Sequence, residues 1–135
     1  MAVTRGGHWV NGGGTWGRLT GVGEGLKVVG PEVKSRTCGP AGASLLAGKD
    51  WAPHKIQGWT PDFIPEVLNR AVAAQILPID DVVSRDTARR MAQEEGIFVG
   101  LAAGATVAAA REVAKSAADG EGILAVLAGT GEGYW

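Results

Sequence analysis

The chain has 135 residues, 45% of them hydrophobic, and 13 Lys and Arg set against 14 Asp and Glu leave a formal charge of −1. This balance supports one globular domain with a real core and excludes disorder throughout; near-neutrality without a basic stripe excludes nucleic acid as the main partner. A lone cysteine, Cys38, excludes an internal disulfide framework and a multi-cysteine zinc site.

In chain order, His8-Trp9-Val10-Asn11 is a short β-compatible run leading into the glycine-rich stretch 12–17. Leu19, Val22 and Leu26 then recur at helical spacing up to Gly30-Pro31, giving strand, glycine loop, helix. Residues 33–38 predict the next strand, closed by Pro40. Residues 43–47 suggest a short helix, and 48–65 a long loop holding Pro53, Pro61 and Pro65 with Trp51 and Trp59. Structureless connections of that length are usually functional.

Beyond Pro65, Val67, Leu68, Val72 and Ile76 share one helical face, interrupted around Leu77-Pro78. Asp81-Val82-Val83 reads as a brief strand, and Ser84 as the N-cap of a helix over 85–95 that Gly96 stops. Residues 97–100 are short and apolar, 103–118 form an alanine-rich helix, and 123–127 a buried parallel strand running into Gly129-Thr130-Gly131. The alternation predicts an α/β fold, a mostly parallel sheet flanked by helices, as a single domain over 1–135 without internal repeats.

The glycine run entering the first helix suits an anion, because helix N-terminal N–H groups are unpaired and glycine lets backbone approach closely; such runs also occur as plain turns. His54-Lys55 is either an acid–base pair or, more blandly, part of a hydrogen-bonded loop. His8 reads as structural or exposed. Asp80-Asp81 and Glu94-Glu95 have no metal-ligand cluster beside them and read as caps and solvated faces, so no metal is expected. Cys38 reads as a small buried hydrophobe. Trp16 and Trp59 sit among small loop residues, where they plug a vacated pocket or meet another chain; Trp135 ends the chain. The first seven residues lack the apolar core of a signal peptide, and apolar runs are broken by glycine well short of a bilayer span, so a soluble, cytoplasmic protein is expected, with no membrane partner.

His54-Lys55-Ile56-Gln57-Gly58, followed by Phe63-Ile64-Pro65 and Val67-Leu68, resembles the "HKIQGIGAGFIP" stretch of cysteine synthases (O-acetylserine sulfhydrylases). Residues 19–23 resemble the helix start after that family's "GTGGT" phosphate loop. Residues 88–97 with Val99-Gly100 match "ARRLAREEGI-VG", and Gly131-Glu132 with Tyr134 resembles "PDSGERY". The matches run in family order from about Val10 onward. The resemblance implies a fold-type II enzyme using pyridoxal 5′-phosphate, bound between two α/β domains, that eliminates acetate from O-acetylserine and adds sulfide to make cysteine.

By the same resemblance, Gly14, Thr15 and Gly17 match three phosphate-loop positions. Thr130 matches the serine that hydrogen-bonds the pyridine nitrogen, and Gly58 the first glycine of the substrate-facing loop. Trp16 stands where the phosphate loop has glycine, and Arg18 where it has threonine, a side chain that can offset Trp16 by pairing directly with a phosphate. Trp59-Thr60-Pro61-Asp62 replaces small residues, Ala102-Ala103 replaces two serines, Ala128-Gly129 replaces Pro-Asp and Gly133 replaces arginine. None of Lys27, Lys34, Lys49, Lys55 and Lys115 lies in the family's Pro-x-x-Ser-x-Lys-type motif, and its Thr-Ser-Gly-Asn-type motif is absent. The expectation is therefore a truncated, cysteine-synthase-like C-terminal part with no catalytic residue of its own, inactive alone but keeping a residual phosphate site. A non-enzymatic interaction module and one half of a split enzyme are the alternatives. Missing strands imply an exposed sheet edge, covered by a second copy in a homo-oligomer or by a complementary chain.

Overall fold

Strand β1 (Gly7–Gly12) is buried from Gly7 to Asn11, as a parallel strand covered by helices on both faces must be. The computed structural model describes residues 6–14, 16–42, 48, 50, 52–56, 58–59, 63–64, 66–72 and 75–132. Helix α1 (Gly17–Val29) follows the glycine loop and ends at Gly30, whose N–H donates to the Leu26 carbonyl at 2.8 Å. Its buried Leu19 and half-buried Leu26 pack with Trp9, Trp16 and Val72 on one face of the sheet. Strand β2 (Val33–Pro40) runs parallel to β1, with Asn11 opposite Thr37. These elements match the sequence expectation.

A 3-10 turn (Arg70–Val72) precedes β3 (Gln75–Ile79), which pairs parallel with β2. Helices α2 (Asp81–Glu95) and α3 (Leu101–Ala114) lead to β4 (Gly122–Ala125), parallel to β1 on its other side. The sheet order is β3-β2-β1-β4, so the described sheet is wholly parallel in an α/β fold. The chain walks outward from β1 to β3, then returns to the far side of β1. That reversal makes the carboxyl ends of β1 and β4 a topological switch point, where open α/β sheets bind ligands.

Five expectations are corrected. The helical face proposed for Val67 to Ile76 is only a 3-10 turn followed by a strand, because Ile76, Leu77 and Ile79 extend against β2. Asp81-Val82-Val83 opens α2 instead of forming a strand. Its cap is Asp80, whose carboxylate accepts the Val82 N–H at 2.7 Å, and Ser84 sits inside the helix, donating its hydroxyl to the Asp80 carbonyl. Strand β4 is not buried: Leu124 is 52% exposed, and the strand's outer edge pairs with nothing among the described residues. The alanine-rich helix begins at Leu101 and stops at Ala114. The short helix suggested over 43–47 lies outside the described residues.

On the second sheet face, α3 packs Ala105, Ala109 and Val113 against Val10, Cys38 and Ile79. Helix α2 packs on α3 through small residues: a β-carbon on Gly104 would overlap the Ser84 carbonyl oxygen. At the amino ends of the strands, far from the switch point, His8 is buried and its Nδ1 accepts from Arg36 Nε at 3.3 Å. Nε2 then donates to Glu121 at 3.0 Å, and the other Glu121 oxygen meets Lys34. His8 is thus a structural residue, pinning the turn before β4 to the sheet. Among the described residues no helix is long and apolar enough to cross a membrane.

Candidate functional site

At the switch point lies a cavity of about 340 Å³. Small-molecule sites span roughly 300–1,000 Å³, so it is of a size to hold a compact ligand. Asn11 and Gly12 at the carboxyl end of β1 form its floor, Val126 and Ala128 its β4 side, and Gly58 and Trp59 its loop side. Gly14, Trp16 and Arg18 bring in the amino end of α1, and Ala102 brings in the first turn of α3.

Two helix N-termini therefore converge here, and neither N-cap, Trp16 or Gly100, makes a side-chain capping bond. Their first N–H groups have no acceptor within the helix and carry the positive end of the macrodipole. Arg18 adds a full charge, and among the described residues no carboxylate lines the cavity. Helix N-termini and a guanidinium together suit an anion.

Glycines shape it. A β-carbon on Gly14 would sit 2.8 Å from the Gly58 carbonyl oxygen, so no side chain fits between the two loops. The rings of Trp59 and Trp16 lie over Gly12 and Gly13, whose β-carbons would overlap them. Trp16 adopts φ 67°, the left-handed conformation a glycine usually supplies, so the backbone keeps a glycine-type path with an indole attached. Both indoles are buried and wall the cavity without filling it.

Of the residues singled out in the sequence, Gly14, Arg18 and Gly58 meet at this cavity. Gly17 opens α1 beside it, and Thr15 lies outside the described residues. Thr130 does not line the cavity: it is exposed, bridges Val99 in antiparallel fashion, and its hydroxyl accepts the Glu132 N–H at 3.4 Å. Of the acid–base candidates, His54 Nδ1 accepts the Ile56 N–H at 3.2 Å and the Lys55 N–H donates to Asp81 at 3.0 Å, which favours the bland reading of that pair. Among the described residues no group of three or more His, Cys, Asp or Glu is placed to hold a metal.

Sequence reasoning missed Asn11. Its carboxamide lines the cavity 1% exposed, and neither its oxygen nor its nitrogen has a hydrogen-bond partner. An asparagine directly after Trp9-Val10 in a buried strand was the available signal.

A family model described as pyridoxal-phosphate dependent enzyme matches residues 5–129. The chain belongs to that family. It is 50% identical over 127 residues to an O-ureido-L-serine synthase of Streptomyces lavendulae, covering 94% of this chain and 39% of that protein. Against a probable cysteine synthase of Bacillus subtilis the identity is 41%, covering 95% and 41%. The crystal structure of O-ureido-L-serine synthase superposes with a TM-score of 0.92 over 96% of this chain and 41% of that one. An O-acetyl serine sulfhydrylase from Entamoeba histolytica gives 0.89 at 33% identity, over 96% and 39%. This member of the pyridoxal-phosphate dependent family thus spans about 40% of the length of the relatives it matches.

The cavity residues fit the phosphate-bearing end of that cofactor. Two open helix N-termini, a glycine loop too tight for side chains and the orphaned Asn11 carboxamide together suit an anionic group. Among the described residues none supplies its covalent anchor: Lys27, Lys34, Lys55 and Lys115 all lie outside the lining, and Lys49 lies outside the described residues.

Proposed function

We propose that this chain carries the phosphate-anchoring part of a pyridoxal-phosphate site and does not perform the family's chemistry alone. The observation that carries this reading is the cavity at the β1–β4 switch point, on which two helix N-termini and Arg18 converge and which no carboxylate lines among the described residues. Gly14, Gly17 and Arg18 hold the phosphate through backbone N–H groups and one guanidinium, with Thr15 as a further candidate in the same loop. Gly58 borders the substrate side. When bound, the cofactor supplies an electron sink for the substrate's α-carbon. The chain's own residues orient the phosphate, and the buried Trp16 and Trp59 rings exclude water from the loop side. The relatives' names, O-ureido-L-serine synthase and O-acetyl serine sulfhydrylase, point to O-substituted serines as the substrate class.

The lysine that bonds the cofactor then comes from another segment or chain, with a complementary chain or a second copy docking on the β4 edge, unpaired among the described residues, and on the exposed Leu124 and Leu127. An unpaired strand edge is a template for such pairing. A cytoplasmic location accompanies this reading. The alternative, a non-enzymatic interaction module, is favoured by one feature, the indole of Trp16 at the phosphate loop.

Pyridoxal 5′-phosphate titration followed by borohydride reduction and mass spectrometry tests the proposal. Saturable binding without one uniquely modified lysine is expected, together with no turnover of O-acetylserine. One stoichiometrically modified lysine with turnover by the chain alone overturns the inactivity, and absence of saturable binding favours the interaction module. Light scattering at high micromolar concentration reads the association, and a strictly monomeric mass excludes the second copy.

A further inference from the structure

We infer that Asn11 is a specificity-determining residue of this cavity, hydrogen-bonding the phosphate end of the bound group; the inference rests on the phosphate-site reading above. Asn11 is the next-to-last residue of β1, on the sheet face that carries Trp9 and α1. Its carboxamide is 1% exposed, lines the cavity, and leaves both oxygen and nitrogen without a partner. Thr37, opposite it on β2, has a fully buried hydroxyl that is likewise unpartnered. More than nine-tenths of buried polar groups find partners, and each that does not costs about 1–3 kcal/mol. Such a penalty, standing at a helix N-terminus in a cavity of ligand size, marks a side chain kept for something that enters. A carboxamide presents a donor and an acceptor together, which suits a phosphate monoester carrying both P–O⁻ and P–OH oxygens.

A purely structural asparagine would be hydrogen-bonded to backbone or a neighbouring side chain, as Asp80 and Ser84 are. Among the described residues nothing of that kind holds Asn11. Replacing it with alanine removes two orphaned polar atoms, so the ligand-free fold should tolerate the change while the ligand does not.

The test uses pyridoxine 5′-phosphate and pyridoxine, which lack the aldehyde and so cannot label lysines. Binding is read from the fluorescence of the cavity tryptophans, with inorganic phosphate as competitor. Wild type should prefer the phosphorylated probe, and inorganic phosphate should compete. Asn11→Ala should weaken the phosphorylated probe about ten-fold or more and leave pyridoxine unchanged, the size expected for a hydrogen bond to a charged group. Asn11→Asp, of the same volume, should weaken it further through like charge and so keeps the test alive should the alanine variant misfold. Unchanged preference in both variants overturns the inference and leaves the phosphate site standing. Equal loss for both probes also overturns it, as a packing effect. No saturable binding by wild type overturns the phosphate-site reading and this inference with it.

Discussion

The indole of Trp16 occupies the space that a β-carbon on Gly13 would need, so the loop before α1 tolerates a side chain at one of these positions and not at both. Trp16 is itself left-handed at φ 67°, a conformation that disfavours non-glycine residues by about 1–2 kcal/mol. Truncating a buried tryptophan costs about 3–5 kcal/mol. Burial wins: Trp16→Gly should destabilise by roughly 2–3 kcal/mol despite the strain it relieves, lowering Tm by about 10 °C. Gly13→Ala should also destabilise, and the double variant should lose less than the two singles summed. Thermal melts of the four chains measure that coupling, and strict additivity would contradict the contact.

Gly104 makes the α2–α3 contact in the same way. Its missing β-carbon lets the Ser84 carbonyl and the Ala88 methyl come against the α3 backbone. Gly104→Ala brings a helix-propensity gain of about 1 kcal/mol against overpacking of about 1–3 kcal/mol into backbone that cannot rotate away. Because the nearest atom is main chain, overpacking should prevail. A urea titration should show the midpoint falling with an unchanged slope. A rise in the midpoint would mean that the helices part freely.

What the sequence disclosed, and what it hid, follows from how local each signal is. Strand, glycine run and helix over β1 and α1 were readable because Gly30 and the leucine spacing act within a few residues. The start of α2 was not. Val82 and Val83 are β-branched and suggest a strand, but both are exposed on the first helical turn, so packing gives their β-preference no support. Asp80, four residues before the expected cap at Ser84, decides the matter by capping the Val82 N–H. Strand β3 was hidden because Pro78 breaks an apolar run that tertiary pairing with β2 nonetheless extends. The glycines of the cavity were readable through the family resemblance. Asn11 was not, because its orphaned state exists only once β1 and β2 pair and α1 covers them.

Glu121 ties three elements together. Its carboxylate accepts the Ala118 N–H and meets His8 and Lys34, and these contacts, the backbone one foremost, hold its carboxyl down at about 2. A folded carboxyl below its unfolded value near 4.3 stabilises at pH above that value, and the contribution disappears as pH falls toward 2. Wild type should therefore melt above Glu121→Gln at pH 6–7. The gap in Tm should narrow between about pH 5 and pH 2 and close at the acid end. A gap that stays constant with pH would show that the amide loses packing and not charge.

Cys38 is fully buried, and burial pushes its thiol up to about 12, outweighing the opposing contact with the Thr106 hydroxyl 3.9 Å away. The thiolate is the reactive form, so two barriers act together in the folded chain: the sulfur is covered and it is protonated. At pH 8 a thiol near 12 is ionised to about one part in ten thousand, against roughly a quarter for an ordinary thiol near 8.5. Protonation alone should thus slow alkylation about a thousand-fold or more relative to the unfolded chain. Iodoacetamide labelling followed by mass spectrometry, with and without urea, measures this directly. Because Cys38 lies on β2, packed with Val10 and α3, its labelling at low urea should report opening of the central sheet and track the global unfolding transition. Labelling well before that transition would show that α3 lifts from the sheet as a separate unit, and with it the α3 N-terminus that helps to build the cavity.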